Sequence, residues 1–438
     1  MTFFQYQANA ETPVSTPTPT GTSTVLASNV TTSPDVFFGV TFGGNTTAQA
    51  KLLIDKVKGY TNLFVVDSWD ITTNETALNE ICEYAVDAKL NIMVYFDFVL
   101  YAGNVSWFHT WLDTVRGRWG NNFLGIYLYD EPGGSQIDTG QWRTGPTAKK
   151  AMENSSDYND AANRFVTNIP STPSWQNVRN SCLPIFTSDY ALYWFDYLAG
   201  YDTVFVELGW NQSTTQNIAL GRGAANVQGK QWGAIITWTY NDPPYMENGT
   251  EMLKDMNMAY GAGAKYIIVF NYPYLPDNPY GVLTEDHFNA MQTFWNEIQN
   301  TPRSKIGEVH GTIAYVLPKN YGWGMRTPSD NIWGYWPADN QSTLIWNNMM
   351  KLLNQYGPKL DIIYDDSNFN YQQDYSTVYY WNSTTIALAT STVTSTLSSG
   401  TTGLSPTYII ALVATVAIVF IIPITLVYRR RASRKRRY

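Results

Sequence analysis

The stretch FLGIYLYDEPGG, Phe123 to Gly134, decides how this chain is read. Its first seven residues are apolar or aromatic, as in a strand buried on both faces. They run straight into Asp130 and Glu131, and Pro132-Gly133-Gly134 then ends the extended segment. A carboxylate taken out of water costs several kcal/mol unless it is paired or given chemical work. Two at the end of a buried strand therefore ask for a partner or a reaction.

Outward from this stretch the pattern repeats. Short β-rich apolar runs occupy Val36–Gly43, Asn62–Asp67, Leu90–Phe98, Phe123–Asp130, Leu183–Ser188, Thr203–Gly209, Trp232–Tyr240 and Lys265–Tyr272. Stretches with helical spacing follow them, among them Ala48 to Val57, Ala77 to Ala88 and Asp286 to Ile298. Eight strands alternating with eight helices predict an α/β fold, a (β/α)8 TIM barrel over residues 36–302. A doubly wound open sheet shares the alternation, but it needs a Gly-rich phosphate loop after its first strand, and Gly43-Gly44-Asn45 lacks that spacing. Residues 303–382 read as a small α/β module: strands at Ile313–Leu317, Leu360–Tyr364 and Ser376–Trp381, and a helix from Ser342 to Tyr356. The tryptophan-rich linker Tyr321 to Asp339 is expected to pack on the barrel.

In such a barrel the chemistry gathers where the strands end. The sequence places Asp67 and Trp69 after strand 2, Asp97 after strand 3, Asp130 and Glu131 after strand 4, and Asp189 after strand 5. Glu207 and Trp210 follow strand 6, Trp238 and Tyr240 strand 7, and Asn271 and Tyr272 strand 8. Carboxylates and large aromatics on one face match the needs of glycosidic-bond hydrolysis: one carboxyl kept protonated as acid, one ionised as nucleophile or base, and rings to stack on sugar C–H surfaces. Glu131 and Glu207 are the candidate catalytic pair, the other ten residues candidates for substrate binding. Adjacent strand residues face opposite ways, so only one of Asp130 and Glu131 is expected to aim into the barrel mouth. Glu131, longer and nearer the turn, is assigned the acid, with Asp130 tuning it. Glu131 is expected among aromatics that raise its pKa, and Glu207 among polar groups that keep it ionised, with roughly 5–9 Å between the carboxyls. Each acid also has a purely structural reading, as a helix cap or an arginine partner.

The motif Asp130-Glu131-Pro132 resembles the Asn-Glu-Pro signature of glycoside hydrolase clan A, whose Glu is the acid/base. The resemblance spans roughly Val36 to Thr301 and implies a carbohydrate substrate, with Glu131 as acid/base. The chain departs from the clan twice: Asp130 stands for the usual Asn, and strand 7, GAIITWTYND, lacks the glutamate that the clan keeps as nucleophile. Glu207 is the nearest substitute, similar to barrel glycosidases whose carboxylates come from strands 4 and 6.

Other chemistries find little support. His109, His287 and His310 are scattered without metal-ligand spacing, no loop has the spacing of a calcium motif, and no Gly-x-Ser-x-Gly elbow occurs, so neither metal nor cofactor is expected. Cys82 and Cys182 lie 100 residues apart and read as a disulfide or as two buried thiols. Of 438 residues 44% are hydrophobic, ample for a large core, but only 15% are charged, against roughly 25% on average. A surface rich in Asn and Thr and poor in Lys would suit an acidic exterior.

The ends suggest where the protein sits. Residues 1–35 form a Thr/Pro/Ser-rich leader and 383–407 a Ser/Thr-rich stalk. Tyr408 to Tyr428 is an uncharged apolar stretch long enough to span a bilayer as a helix, and residues 429–438 make a basic tail that belongs in the cytoplasm. That position favours a topogenic role for the tail over nucleic-acid binding. Removing its seven Lys/Arg leaves 21 basic against 36 acidic residues, a charge of −15 outside the membrane. The topology calls for a signal peptide, of which Ala8-Asn9-Ala10 is the candidate cleavage end. Nine Asn-x-Ser/Thr sequons, at Asn29, Asn45, Asn74, Asn104, Asn154, Asn211, Asn248, Asn340 and Asn382, fit a glycosylated exterior. Two functions follow: a membrane-anchored extracellular glycoside hydrolase, or a non-catalytic envelope glycoprotein on a hydrolase-like barrel. Six sequons after strand ends favour the second, although Asn is also a common helix cap.

Overall fold

The computed structural model describes residues 34–96, 106–140 and 154–383. Most of the leader, Asp97, most of the stalk, the stretch Tyr408 to Tyr428 and the basic tail lie outside them. Among the described residues no helix is long and apolar enough to cross a membrane.

Eight parallel strands close into a barrel in chain order. They are β1 (Phe37–Phe42), β2 (Leu63–Val66), β3 (Asn91–Tyr95), β4 (Phe123–Tyr127), β5 (Ile185–Asp189), β6 (Thr203–Leu208), β7 (Gln231–Ile236) and β8 (Tyr266–Val269). β8 returns to β1, with Gly39 opposite Ile268, so no sheet edge is left open. The expected barrel is therefore present. β7 is shorter than its apolar run predicts: Thr237 to Tyr240 lie beyond the strand.

Strand alternation divides the core in two. Phe37, Leu63, Val65, Met93, Tyr95, Tyr127, Phe186, Phe205, Ile235, Tyr266 and Ile268 fill the barrel interior. Their neighbours, such as Phe64, Val66, Val204 and Val206, pack outward against the helices. This parity dictates which side chains reach the mouth.

The helices start where the sequence supplies caps. The Asn74 and Asn248 side chains accept backbone N–H bonds at the starts of the helices Glu75–Asp87 and Gly249–Gly261. Two sequons thus double as N-caps. The described sequon asparagines, Asn45, Asn74, Asn154, Asn211, Asn248, Asn340 and Asn382, are all exposed.

Beyond the barrel, β9 (Ile313–Leu317), β10 (Leu360–Tyr364) and β11 (Thr377–Tyr380) form a parallel sheet in the order β10-β9-β11, with the helix Asn340–Tyr356 between β9 and β10. This module and the barrel belong to one compact unit. The linker packs on the barrel as expected: Trp323 and Trp333 are fully buried, and the Trp333 ring lies 4.7 Å from Phe195 and 5.8 Å from Phe165. Cys82 is buried and Cys182 exposed, both free, so neither reading of the cysteines holds: Cys182 sits in a surface turn.

Candidate active site

A cavity of about 360 Å3 opens at the C-terminal end of the barrel. Asp67, Trp69, Asp130, Glu131, Glu207 and Tyr272 line it, together with Tyr95, Tyr127, Ser188, Thr237 and Phe270. Glu207 arrives by parity: Phe205 points into the barrel, so the residue two further along β6 points into its mouth. Ser188 follows Phe186 in the same way on β5.

The turn after β4 corrects the expectation that only one of two adjacent carboxylates faces inward. β4 ends at Tyr127, and Tyr129 (φ 62°) and Glu131 (φ 47°) both adopt the left-handed backbone conformation. Strand alternation no longer applies there, and both Asp130 and Glu131 line the cavity. Left-handed non-glycine residues are strained and gather at functional sites. The Glu131 N–H donates to Ser188 O over 3.1 Å, and its carbonyl accepts from Ser135 in the first turn of the helix Pro132–Thr139.

The carboxyls form one network. Tyr127 Oη accepts the Ser188 N–H (3.0 Å) and donates to Asp130 Oδ1. The Ser188 hydroxyl donates to Glu207 Oε1 over 2.7 Å and lies 3.2 Å from Asp130 Oδ1. Glu207 is 4% exposed, and among the described residues no nitrogen or hydroxyl donates to its Oε2. The Glu131 carboxyl lies within hydrogen-bonding reach of Glu207. Two carboxyls this close share a proton.

The charges follow from that geometry. Burial, then the carboxylates of Glu207, Asp130 and Asp189, push Glu131 well above the usual carboxylate range. Burial and Asp130 lift Glu207 to about 8, against the hydrogen bonds of Ser188 and Glu131 that favour its ionised form. Desolvation raises Asp130 too, opposed by Tyr127 and Ser188, although the residue is exposed on the cavity wall. The expectation of an ionised Glu207 is thus corrected, since its polar neighbours do not offset burial beside other acids. Glu131 is raised by burial and fellow carboxylates.

Not every expected binding residue faces the cavity. Asp189 has outward parity on β5; fully buried, it accepts N–H bonds from Gly133 (2.5 Å), Gly134 (2.8 Å), Tyr190 (2.8 Å) and Ala191 (3.0 Å). It is an anchor for the turn. Asn271, likewise outward and buried, accepts from Val282 N–H over 3.0 Å and braces the loop after β8. Trp238 stacks on Tyr272 at 6.1 Å and meets Trp210 edge-on at 5.9 Å, which extends an aromatic rim beyond the cavity wall. Trp69 (43%), Trp210 (36%), Tyr240 (48%) and Tyr272 (47%) are exposed despite their size. Asp97 lies outside the described residues. Sequence reasoning missed Tyr127 and Ser188, although counting in twos from Phe186 leads to Ser188.

No family model and no curated protein matches the chain. Solved structures resemble it at low identity. GH5_18 from Streptomyces cattleya in complex with GlcNAc is 11% identical at a TM-score of 0.48, over 79% of this chain and 98% of that one. The endo-1,4-beta-mannanase from Rhizomucor miehei is 10% identical at 0.40, over 60% and 95%. A truncated 3-deoxy-D-arabino-heptulosonate 7-phosphate synthase from Thermotoga maritima is 10% identical at 0.34, over 62% and 88%. Such likenesses add nothing to the closed barrel that the strand pairing already defines, and the chemistry rests on the site itself.

Proposed function

We propose that the protein is a glycoside hydrolase that cleaves O-glycosidic bonds with Glu131 as general acid and Glu207 as nucleophile. The observation that carries this reading is the contact between the two carboxyls at the mouth of the barrel, in a cavity rimmed by exposed aromatics. A sugar ring stacked on Trp69 or Tyr272 would part the pair. Glu207 then attacks the anomeric carbon while Glu131 gives its proton to the departing oxygen; in the second step Glu131 takes a proton from water, which displaces Glu207. Ser188 holds the Glu207 charge, and Asp130, tied to Tyr127, lies beside both carboxyls.

The substrate is proposed to be an external polysaccharide or glycoprotein glycan, with the chain held to the cell membrane by Tyr408 to Tyr428 and its N-terminal part outside. Release of reducing sugar from a panel of such glycans, abolished by Glu131→Gln, tests the activity. Protease accessibility of the barrel on intact cells tests the topology. The envelope-glycoprotein reading draws on Asn45, a sequon residue on the cavity wall. A glycan found there by glycopeptide mass spectrometry, together with no hydrolysis, would favour it.

A further inference from the structure

Asp196, on the helix Tyr193–Ala199, is fully buried, and among the described residues no nitrogen or hydroxyl donates a hydrogen bond to either of its carboxyl oxygens. The group within its hydrogen-bonding reach is Asp189, another carboxyl. Asp189 is richly served: Oδ1 takes the N–H groups of Gly134, Tyr190 and Ala191, and Oδ2 that of Gly133. Gly133 and Gly134 open the helix that begins immediately after Glu131.

Two buried carboxyls in contact require a proton between them. Four N–H donors favour charge on Asp189, so the proton belongs to Asp196. We infer that Asp196 is a positioning residue: as a neutral acid it donates to Asp189, which grips the first turn after Glu131 and thereby fixes the acid against Glu207. This rests on the reading of Glu131 as the general acid.

Among the described residues, no cation acts on Asp196 to replace that proton. Asp189 faces Asp196 from β5, Tyr193 and Tyr197 flank it on its own helix, and Glu207 and Glu131 lie beyond Asp189. The basic residues of the neighbouring helices, Arg164 and Arg222, are bonded to Asp160 and Asp361, and Asp138 to Arg326 and Tyr190. Burial and Asp189 hold Asp196 well above the aspartate range, while Asp189 reaches about 7. A carboxyl whose pKa is raised in the folded state stabilises less as pH climbs above its unfolded value.

The test compares the wild type with Asp196→Asn and Asp196→Ala. Asparagine can donate to Asp189 without ionising. The melting temperature of Asp196→Asn minus that of the wild type should therefore grow steadily from pH 4 to pH 8. In infrared difference spectra at pH 7 the wild type should show one protonated-carboxyl band that Asp196→Asn lacks. On a cleaved glycan, Asp196→Ala should lower kcat about tenfold or more with KM nearly unchanged, and Asp196→Asn should restore it. A melting difference that is flat or falls with pH, no lost carboxyl band, or an Asp196→Ala variant with full kcat overturns the inference. If the alanine variant does not fold, the asparagine variant decides. A wild type inactive on every glycan would sink the hydrolase reading, while the melting and infrared comparisons still decide the shared proton.

Discussion

Ser188 donates its hydroxyl to Glu207 Oε1 over 2.7 Å, the one side-chain hydroxyl on this carboxylate among the described residues. It works against burial and Asp130, which lift Glu207 to about 8. Since Glu207 must be ionised to attack, kcat/KM should rise with pH through an acidic limb near 8, and activity should fade below it. Ser188→Ala removes a bond to the charged form, so the limb should move to higher pH. A shift to lower pH, or none, would refute the assignment. A limb near 8 also runs against the acidic exterior that the composition suggested.

The barrel was legible in the sequence because each strand is a short apolar run closed by a polar end. The site was only partly legible. Counting in twos from the interior residues Phe205 and Phe186 selects Glu207 and Ser188 and rejects Asp189; the same count from Tyr266 admits Tyr272 and rejects Asn271. Without that count every polar residue at a strand end looks alike, and the anchors Asp189 and Asn271 are indistinguishable from ligand contacts. Asp130 and Glu131 defeat the count, because the left-handed residues Tyr129 and Glu131 are properties of the turn. Nothing in the local pattern announces them.

Gly134 sits where a side chain has no room. A Cβ there would lie 2.1 Å from Cζ of Tyr190, whose hydroxyl is held by Asp138 and whose ring lies 5.4 Å from the Arg326 guanidinium. Gly134→Ala should therefore displace either the ring or the catalytic turn. About 1–3 kcal/mol of stability should be lost, with kcat reduced. Denaturant melts and kinetics check this, and a variant unchanged in both would show that the turn has slack.

The barrel and the module are joined through a buried charge pair. Arg222 Nε meets Asp361 Oδ1 at 2.8 Å, with 2% and 0% of the two side chains exposed. The guanidinium also donates to the carbonyls of Val309, Pro358 and Leu360, and Tyr375 donates to Asp361 over 3.0 Å. Arg222→Ala strands a buried carboxylate and should cost about 3–5 kcal/mol. Asp361 is already raised by burial, so without Arg222 it should take up a proton, and the loss should shrink as pH falls. Melting temperatures of the wild type and variant from pH 4 to pH 8 give the answer; a deficit independent of pH would mean that packing dominates.

The separation of Glu131 and Glu207 carries a stereochemical consequence. Inverting glycosidases keep about 6.5–9.5 Å between their carboxyls to admit a water, whereas retaining ones keep about 5–5.5 Å and attack directly. With Glu207 attacking directly, as proposed, the first product should retain the anomeric configuration of the substrate, which NMR of the early reaction mixture reads directly. Glu131→Gln and Glu207→Gln preserve shape and should each lower turnover by about 10²-fold or more with melting curves intact. The two should differ with substrate. A glycoside whose leaving group departs without a proton should recover its first step in Glu131→Gln but remain inert with Glu207→Gln, because only the second variant has lost the attacking atom. Inversion of configuration, or equal recovery of both variants, would exchange or abolish the assigned roles.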